Sequence, residues 1–169
     1  MKAVFRWLGL CVLGVLALQL FFVARIACMA VWNPQSTAFE RSEAWRIAME
    51  KDELRWRQDW VDYDQISDHL KRAVIASEDD GFNNHEGVDW TALEKAWERN
   101  AQAEQRREQR NSRAPKIVGG STITQQLAKN LFLSGERTFV RKGQEFVLTL
   151  MLEKLLSKRR ILEIYLNSV

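Results

Sequence analysis

Two cysteines, two prolines and two histidines in 169 residues exclude several classes at once. Cys11 and Cys28 both fall in or beside one apolar run, so the remainder of the chain has no disulfide framework and no CxxC metal site, and a core must hold it together. With so little histidine, a zinc site would need one histidine among scattered acids, a weak ligand set. No stretch alternates apolar and polar residues long enough to be a strand and no segment repeats, so the expected fold is mainly α. The small net charge of +3 is unevenly spread. Residues 40–68 carry nine acids against five bases, whereas residues 129–160 carry eight bases against three acids. The basic half could meet nucleic acid, lipid headgroups or a phosphorylated substrate; on an anchored, exported domain nucleic acid is excluded as the partner.

The anchor is the long run. Leu8 to Ala24 are seventeen residues without a charge, continued past Arg25 into Ile26 to Trp32, enough to cross a bilayer. Trp7 and Trp32 would mark the interfaces, and Lys2 and Arg6 before the span place the N-terminus in the cytoplasm. No small-x-small cleavage site follows, and Arg25 stands where a lipoprotein signal ending at Cys28 would need an aliphatic residue, which favours an uncleaved anchor over a signal peptide. The expected organisation is a cytoplasmic tip and anchor at 1–32, a juxtamembrane stalk or one-sided surface helix at 33–68, and a folded domain at 69–169.

Within that domain the spacing predicts helices over His69–Ser77, from Asp89 or Trp90 to Trp97, from Thr122 to Asn130, from Thr138 to Leu156 and from Ile161 to Asn167. Ala101 to Arg113 offers almost nothing to bury and reads as a flexible insert or a solvated helix. The Thr138–Leu156 pattern is apolar over more than one stripe, as for a helix buried on most sides, with Lys154, Lys158, Arg159 and Arg160 collecting at its C-terminal end.

Three segments carry chemistry. In Gly119-Gly120-Ser121-Thr122-Ile123-Thr124-Gln125-Gln126-Leu127-Ala128-Lys129-Asn130, a glycine turn leads into a Thr122/Gln125 capping box, and the amides of such a helix start favour phosphate. The bland alternative is a capped surface helix. In Glu78-Asp79-Asp80-Gly81-Phe82-Asn83-Asn84-His85-Glu86-Gly87, the apolar helix before Glu78 is expected to half-bury that carboxylate and raise its pKa toward that of a usable base, with Phe82 shielding one side. His85 reads as a structural hydrogen-bonding residue, with metal binding alongside Glu86 and Asp89 as the weaker alternative. In Arg137-Thr138-Phe139-Val140-Arg141-Lys142-Gly143-Gln144-Glu145, Arg137, Arg141 and Glu145 share a helical face, either as i,i+4 ion pairs or as an anion clamp.

In order and spacing these segments resemble the peptidoglycan glycosyltransferases of family 51, above all the monofunctional membrane-anchored kind. The resemblance covers residues 61–167 and rests on Glu78-Asp79 with Phe82, His85 and Gly87; on Gly120 to Gln126 with Lys129-Asn130; on Arg141-Lys142 with Glu145; and on Lys158 with Ile161-Leu162 and Tyr165-Leu166-Asn167. It implies a lysozyme-like helical fold and inverting transfer between lipid II units, with release of undecaprenyl pyrophosphate. Glu78 would be the general base and Glu145 the second catalytic carboxylate, positioning a cluster of Lys129, Arg137, Arg141 and Lys142 around the pyrophosphate. Ser121, Thr122, Gln125 and Gln126 would line the substrate channel. A divalent cation, magnesium or manganese, would share the neutralisation, with Asp79 as its candidate ligand and no organic cofactor. The implied partners are lipid II, the growing lipid-linked glycan, the membrane and other cell-wall synthesis and division proteins; the implied location is the inner membrane, single-pass, with the domain in the periplasm. The sequence stops at Asn167-Ser168-Val169, inside the fourth motif, so the expectation is a domain incomplete at its C-terminus, a fragment or a truncated product. A non-catalytic module of the cell-wall machinery and a lysozyme-like glycan-cleaving enzyme are the competing readings.

Overall fold

The computed structural model describes residues 2–51, 57–110, 119–133 and 138–168, and among these every regular element is helical. Helix α1 (Lys2–Cys28) runs unbroken for 27 residues, about 40 Å at the α-helical rise, long and apolar enough to cross a membrane. Its first half is exposed on every side. From Gln19 onward, however, a stripe at Gln19, Phe22, Val23, Ile26 and Met29 turns inward, and Ile26 and Met29 belong to the core. Phe22 meets the edge of Phe132, Arg25 lies 5.1 Å from the same ring, and the carboxamides of Gln19 and Gln144 bond reciprocally at 3.1 and 3.3 Å. Arg160 closes the end of α1 and the turn after it, donating from Nε to the Met29 carbonyl at 2.7 Å and from Nη2 to that of Trp32 at 3.1 Å.

Helix α2 (Ala38–Lys51) starts on a capping box between Thr37 and Glu40 and lies along α5, within the acidic segment expected to be a stalk. A single 3-10 turn, Tyr63–Gln65, leads to α3 (Asp68–Glu78). Helix α4 (Trp90–Arg110) is capped by Asp89, whose Oδ1 accepts from the Ala92 amide at 2.8 Å. It continues well past Trp97 to Arg110, because Ala, Gln, Glu and Arg are good helix formers even with little to bury, and of the two alternatives for that stretch the helix is the observed one, mostly exposed over residues 101–106.

Helix α5 (Ile123–Phe132) has both bonds of the expected capping box, and α6 (Phe139–Leu155) begins on the Thr138 cap. Two expectations for the basic half need correction. Lys158, Arg159 and Arg160 do not finish α6. Leu156 leaves the helical conformation, Ser157 caps the Arg160 amide, and the three cations open α7 (Lys158–Leu166). Cations at a helix start oppose the dipole. Pairing offsets this: Lys158 with Glu153 at 2.9 Å, Arg159 with Asp64 at 2.6 Å, Arg160 with Glu163 at 2.8 Å. Nor is α6 buried on most sides. Glu145, Leu148, Thr149 and Leu152 face inward, while Phe139 and Val140 are almost fully exposed.

The core forms around α5, with Ile123, Leu127, Ala128 and Leu131 packed against Leu148 and Leu152 of α6 and Ile161, Leu162, Ile164 and Tyr165 of α7. Phe82 is buried here, with the Lys158 ammonium 4.5 Å from its ring centroid. Asn167 caps α7 and clasps residue 61 through both ends of its carboxamide, at 2.8 Å to the Val61 amide and 3.0 Å to its carbonyl. Gly120 permits the close approach of α4, since a Cβ there would meet Leu93 Cα at 3.2 Å. Gly87, at φ +87°, is more demanding: a Cβ would lie 2.7 Å from Thr149 Cγ2 and 2.9 Å from Glu153 Cγ. Gly87→Ala is therefore expected to cost about 3 kcal/mol through backbone strain and overpacking together. Thermal unfolding in detergent checks this, and an unchanged midpoint would contradict it.

Candidate active site

Two adjacent carboxylates at the end of α3 receive opposite environments. Glu78 closes the helix and is exposed, so the expected half-burial is corrected: the apolar side of α3 does not reach its last residue. Asp79 leaves the helix at φ −164°, ψ 73° and turns inward, its side chain only 3% exposed. Oδ2 of Asp79 accepts the Ile123 amide at 2.9 Å, and Oδ1 meets His85 Nε2 at 2.8 Å. His85 Nδ1 accepts the Gly87 amide at 3.1 Å, an arrangement that assigns the ring proton to Nε2 and makes it the donor to Asp79. The circuit closes through Thr122, whose hydroxyl donates to the Gly87 carbonyl at 2.6 Å and accepts from the Gln125 amide at 3.2 Å.

These bonds overturn the phosphate reading of the α5 N-terminus. Asp79 takes the Ile123 amide, Gln125 Oε1 takes the Thr122 amide at 3.1 Å, and Thr122 takes that of Gln125. A carboxylate of the chain already occupies the positive end of the dipole. The side chains of Thr122 and Gln125, expected to line a channel, are spent on the cap, although both border the clefts described below.

Cationic character gathers one turn further along α5. Ser121, Gln125, Gln126 and Lys129 face Arg141, Lys142 and Glu145 of α6 across a groove of about 160 Å³. Glu145 is buried and bonds Arg141 Nη1 at 2.9 Å and Lys142 Nζ at 2.5 Å. It therefore holds two cations at the groove, and the Arg141–Glu145 contact is the expected i,i+4 ion pair. Arg141 Nε has no hydrogen-bond partner among the described residues, and Lys129 has no ion-pair partner among them. Arg137 lies outside the described residues.

Glu78 borders this groove through Gln126, whose Nε2 donates to Glu78 Oε2 at 3.0 Å. On its other side opens a wider cleft of about 540 Å³ between α3, α4 and the glycine turn, lined by Glu78, Asp80, Lys95, Arg99 and Ser121 among others. Neither Lys95 nor Arg99 was singled out from the sequence, where an isolated base on a charged helix carries no signal.

Asp79, His85 and Asp89 offer ligand atoms within 4.8 Å of one another, but they do not fit a divalent cation. Both Asp79 oxygens are engaged, the proton on His85 Nε2 points at Asp79, and Asp89 Oδ1 caps α4. Glu86 is exposed and pairs with Lys154 at 3.0 Å. Asp79 thus holds α5 to the loop after α3, and no chemical step is assigned to a metal.

An exposed carboxylate between a roomy polar cleft and a groove of cations, on a helical domain fastened to an apolar helix, can activate a hydroxyl on one side and neutralise a phosphate-type group on the other. The helix it is fastened to is long and apolar enough to cross a membrane. The family described as Transglycosylase matches residues 46–169, and the chain belongs to it. It is 51% identical over 172 residues to a biosynthetic peptidoglycan transglycosylase of Burkholderia thailandensis, covering 99% of this chain and 63% of that protein. A relative of the same name from an Azoarcus species is 49% identical over 173 residues, covering 100% of this chain and 71% of the relative, and one from Paraburkholderia phytofirmans is 51% identical over 154 residues, covering 91% and 60%.

Proposed function

We propose that this chain polymerises the glycan strands of peptidoglycan from lipid II. The carrying observation is the exposed Glu78, held by Gln126 beside the groove of Lys129, Arg141 and Lys142. In this reading Glu78 takes the proton from the 4-hydroxyl of an acceptor sugar lying in the wide cleft. The freed oxygen attacks the anomeric carbon of the donor sugar, and the bond from that carbon to the pyrophosphate oxygen breaks with inversion. Undecaprenyl pyrophosphate departs with the bonding pair, its negative charge met by the three cations, whose geometry Glu145 maintains. One carboxylate suffices, because the leaving group needs no protonation, unlike the alkoxide released in glycoside hydrolysis. The reading further places α1 across the inner membrane with Lys2 and Arg6 inside and the domain in the periplasm, among other cell-wall synthesis and division proteins. Lipid carriers on both substrates give the anchor its purpose.

The test is incubation of the detergent-solubilised chain with lipid-linked disaccharide-pentapeptide, with glycan length read on a gel. Polymer supports the proposal; release of soluble muropeptides from purified walls without polymer would favour glycan cleavage. Arg141→Ala probes the groove separately. Because the ground-state substrate already carries pyrophosphate, the variant is expected to raise KM and lower kcat, for a combined loss of about a hundredfold in kcat/KM. Unchanged kinetics would remove Arg141 from the anion site.

A further inference from the structure

Tyr165 is the penultimate residue of α7, with 5% of its surface exposed, and no step above uses it. Its hydroxyl donates to Gln126 Oε1 at 3.1 Å, and the same carboxamide donates from Nε2 to Glu78 Oε2 at 3.0 Å. The two ends of a carboxamide are electrically opposite. With Oε1 held by a donor, the NH2 end must face the carboxylate. Rotated by half a turn, Oε1 would confront Glu78, acceptor against acceptor. Burial first, and the negative charge of Glu78 second, hold the Tyr165 phenol above its ordinary range, so at neutral pH it is a protonated donor.

We propose that Tyr165 is a positioning residue for the transfer reaction: by fixing the orientation of Gln126 it directs an N–H donor onto Glu78 and holds that base aimed. This rests on the reading of Glu78 as the base. The two bonds, between residues 39 and 48 apart, link α7 to α5 and α5 to α3, so they couple the packing of α7 through Gln126 to the reacting carboxylate. Other charges also bear on Glu78: Asp79 and Asp80 beside it, Asp89 before α4, Lys95 and Arg99 on α4, Lys129 on α5, and Arg141, Lys142 and Glu145 on α6. Removal of the Tyr165 hydroxyl alters none of them.

Tyr165→Phe keeps the ring in the core and deletes the donor. In the full chain in detergent, the Gln126 side-chain amide is followed by proton–nitrogen NMR, with Gln126→Leu identifying its signals. The expected result is that the Gln126 NH2 signals shift and broaden in Tyr165→Phe as the carboxamide loses its fixed orientation. Polymerisation is expected to fall about tenfold in kcat with KM unchanged. Gln126→Leu, which leaves the α7 packing intact, is expected to reproduce the loss in kcat, and adding Tyr165→Phe to it to change nothing further. Unmoved Gln126 amide signals, or a Tyr165→Phe effect that persists in Gln126→Leu, would overturn the proposal. A wild-type chain that makes no polymer yet shows the change in the Gln126 signals would instead remove the glycosyltransferase reading and leave the orientation of Gln126 by Tyr165 standing.

Discussion

Glu78→Gln is expected to reduce polymerisation by about a thousandfold or more, within the range that loss of a positioned general base produces. The substitution is nearly isosteric and falls on an exposed residue at a helix end, so folding and melting should be unaffected. The groove cations Lys129, Arg141 and Lys142 remain in place, so binding of the lipid-linked substrate should stay within about threefold of wild type. The separation of kcat from binding is the diagnostic part, because a variant damaged in its fold would lose both. Single-turnover polymerisation together with substrate binding measures each quantity. Turnover near the wild-type rate would end the assignment of Glu78 as the base.

Asp79→Ala should lower both stability and activity, although it removes only one small side chain. Its carboxylate is the shared acceptor for the Ile123 amide and for His85 Nε2, both inside the protein. Removing it strands two buried donors and takes a negative charge from the start of α5, at an expected cost of about 2–4 kcal/mol. Asp79→Asn keeps one acceptor oxygen and should lose less. Activity should fall as well, since a loosened start of α5 carries Gln126 with it, three residues further on. Thermal unfolding and hydrogen exchange at the Ile123 amide measure the effect. A wild-type melting curve for Asp79→Ala would show that the circuit does not hold α5. Recovery of Asp79→Asn activity with excess magnesium or manganese would point back to a metal-ligand role.

Contacts made within a turn of helix are legible in the sequence. Thr122 and Gln125 stand three apart, as do Thr138 and the Arg141 amide it caps, so the helix starts can be read directly. The Arg141 to Glu145 pair is likewise a matter of helical spacing. Glu78 and Asp79 defeat such reading because they are neighbours in sequence. Which of the two turns inward depends on the backbone angles at the end of α3 and on an acceptor-seeking amide 44 residues away at Ile123. The same limit explains Lys158 to Arg160, where apolar periodicity runs through Leu155 and Leu156 and hides the break at Ser157.

By itself, then, the sequence determined the long apolar helix, the helical class, the helix caps and the ordered motifs through which the family is recognised, because each depends on composition or on separations within a few residues. The tertiary structure alone decided that Asp79 fills the α5 N-terminus, that Gln126 joins Glu78 to Tyr165, and that Gln19 of α1 meets Gln144 of α6 across a separation of 125 residues. Those partners are chosen by which helix faces the core brings together. A polar group leaving water bonds to whatever that packing places within reach, and no local pattern encodes the choice.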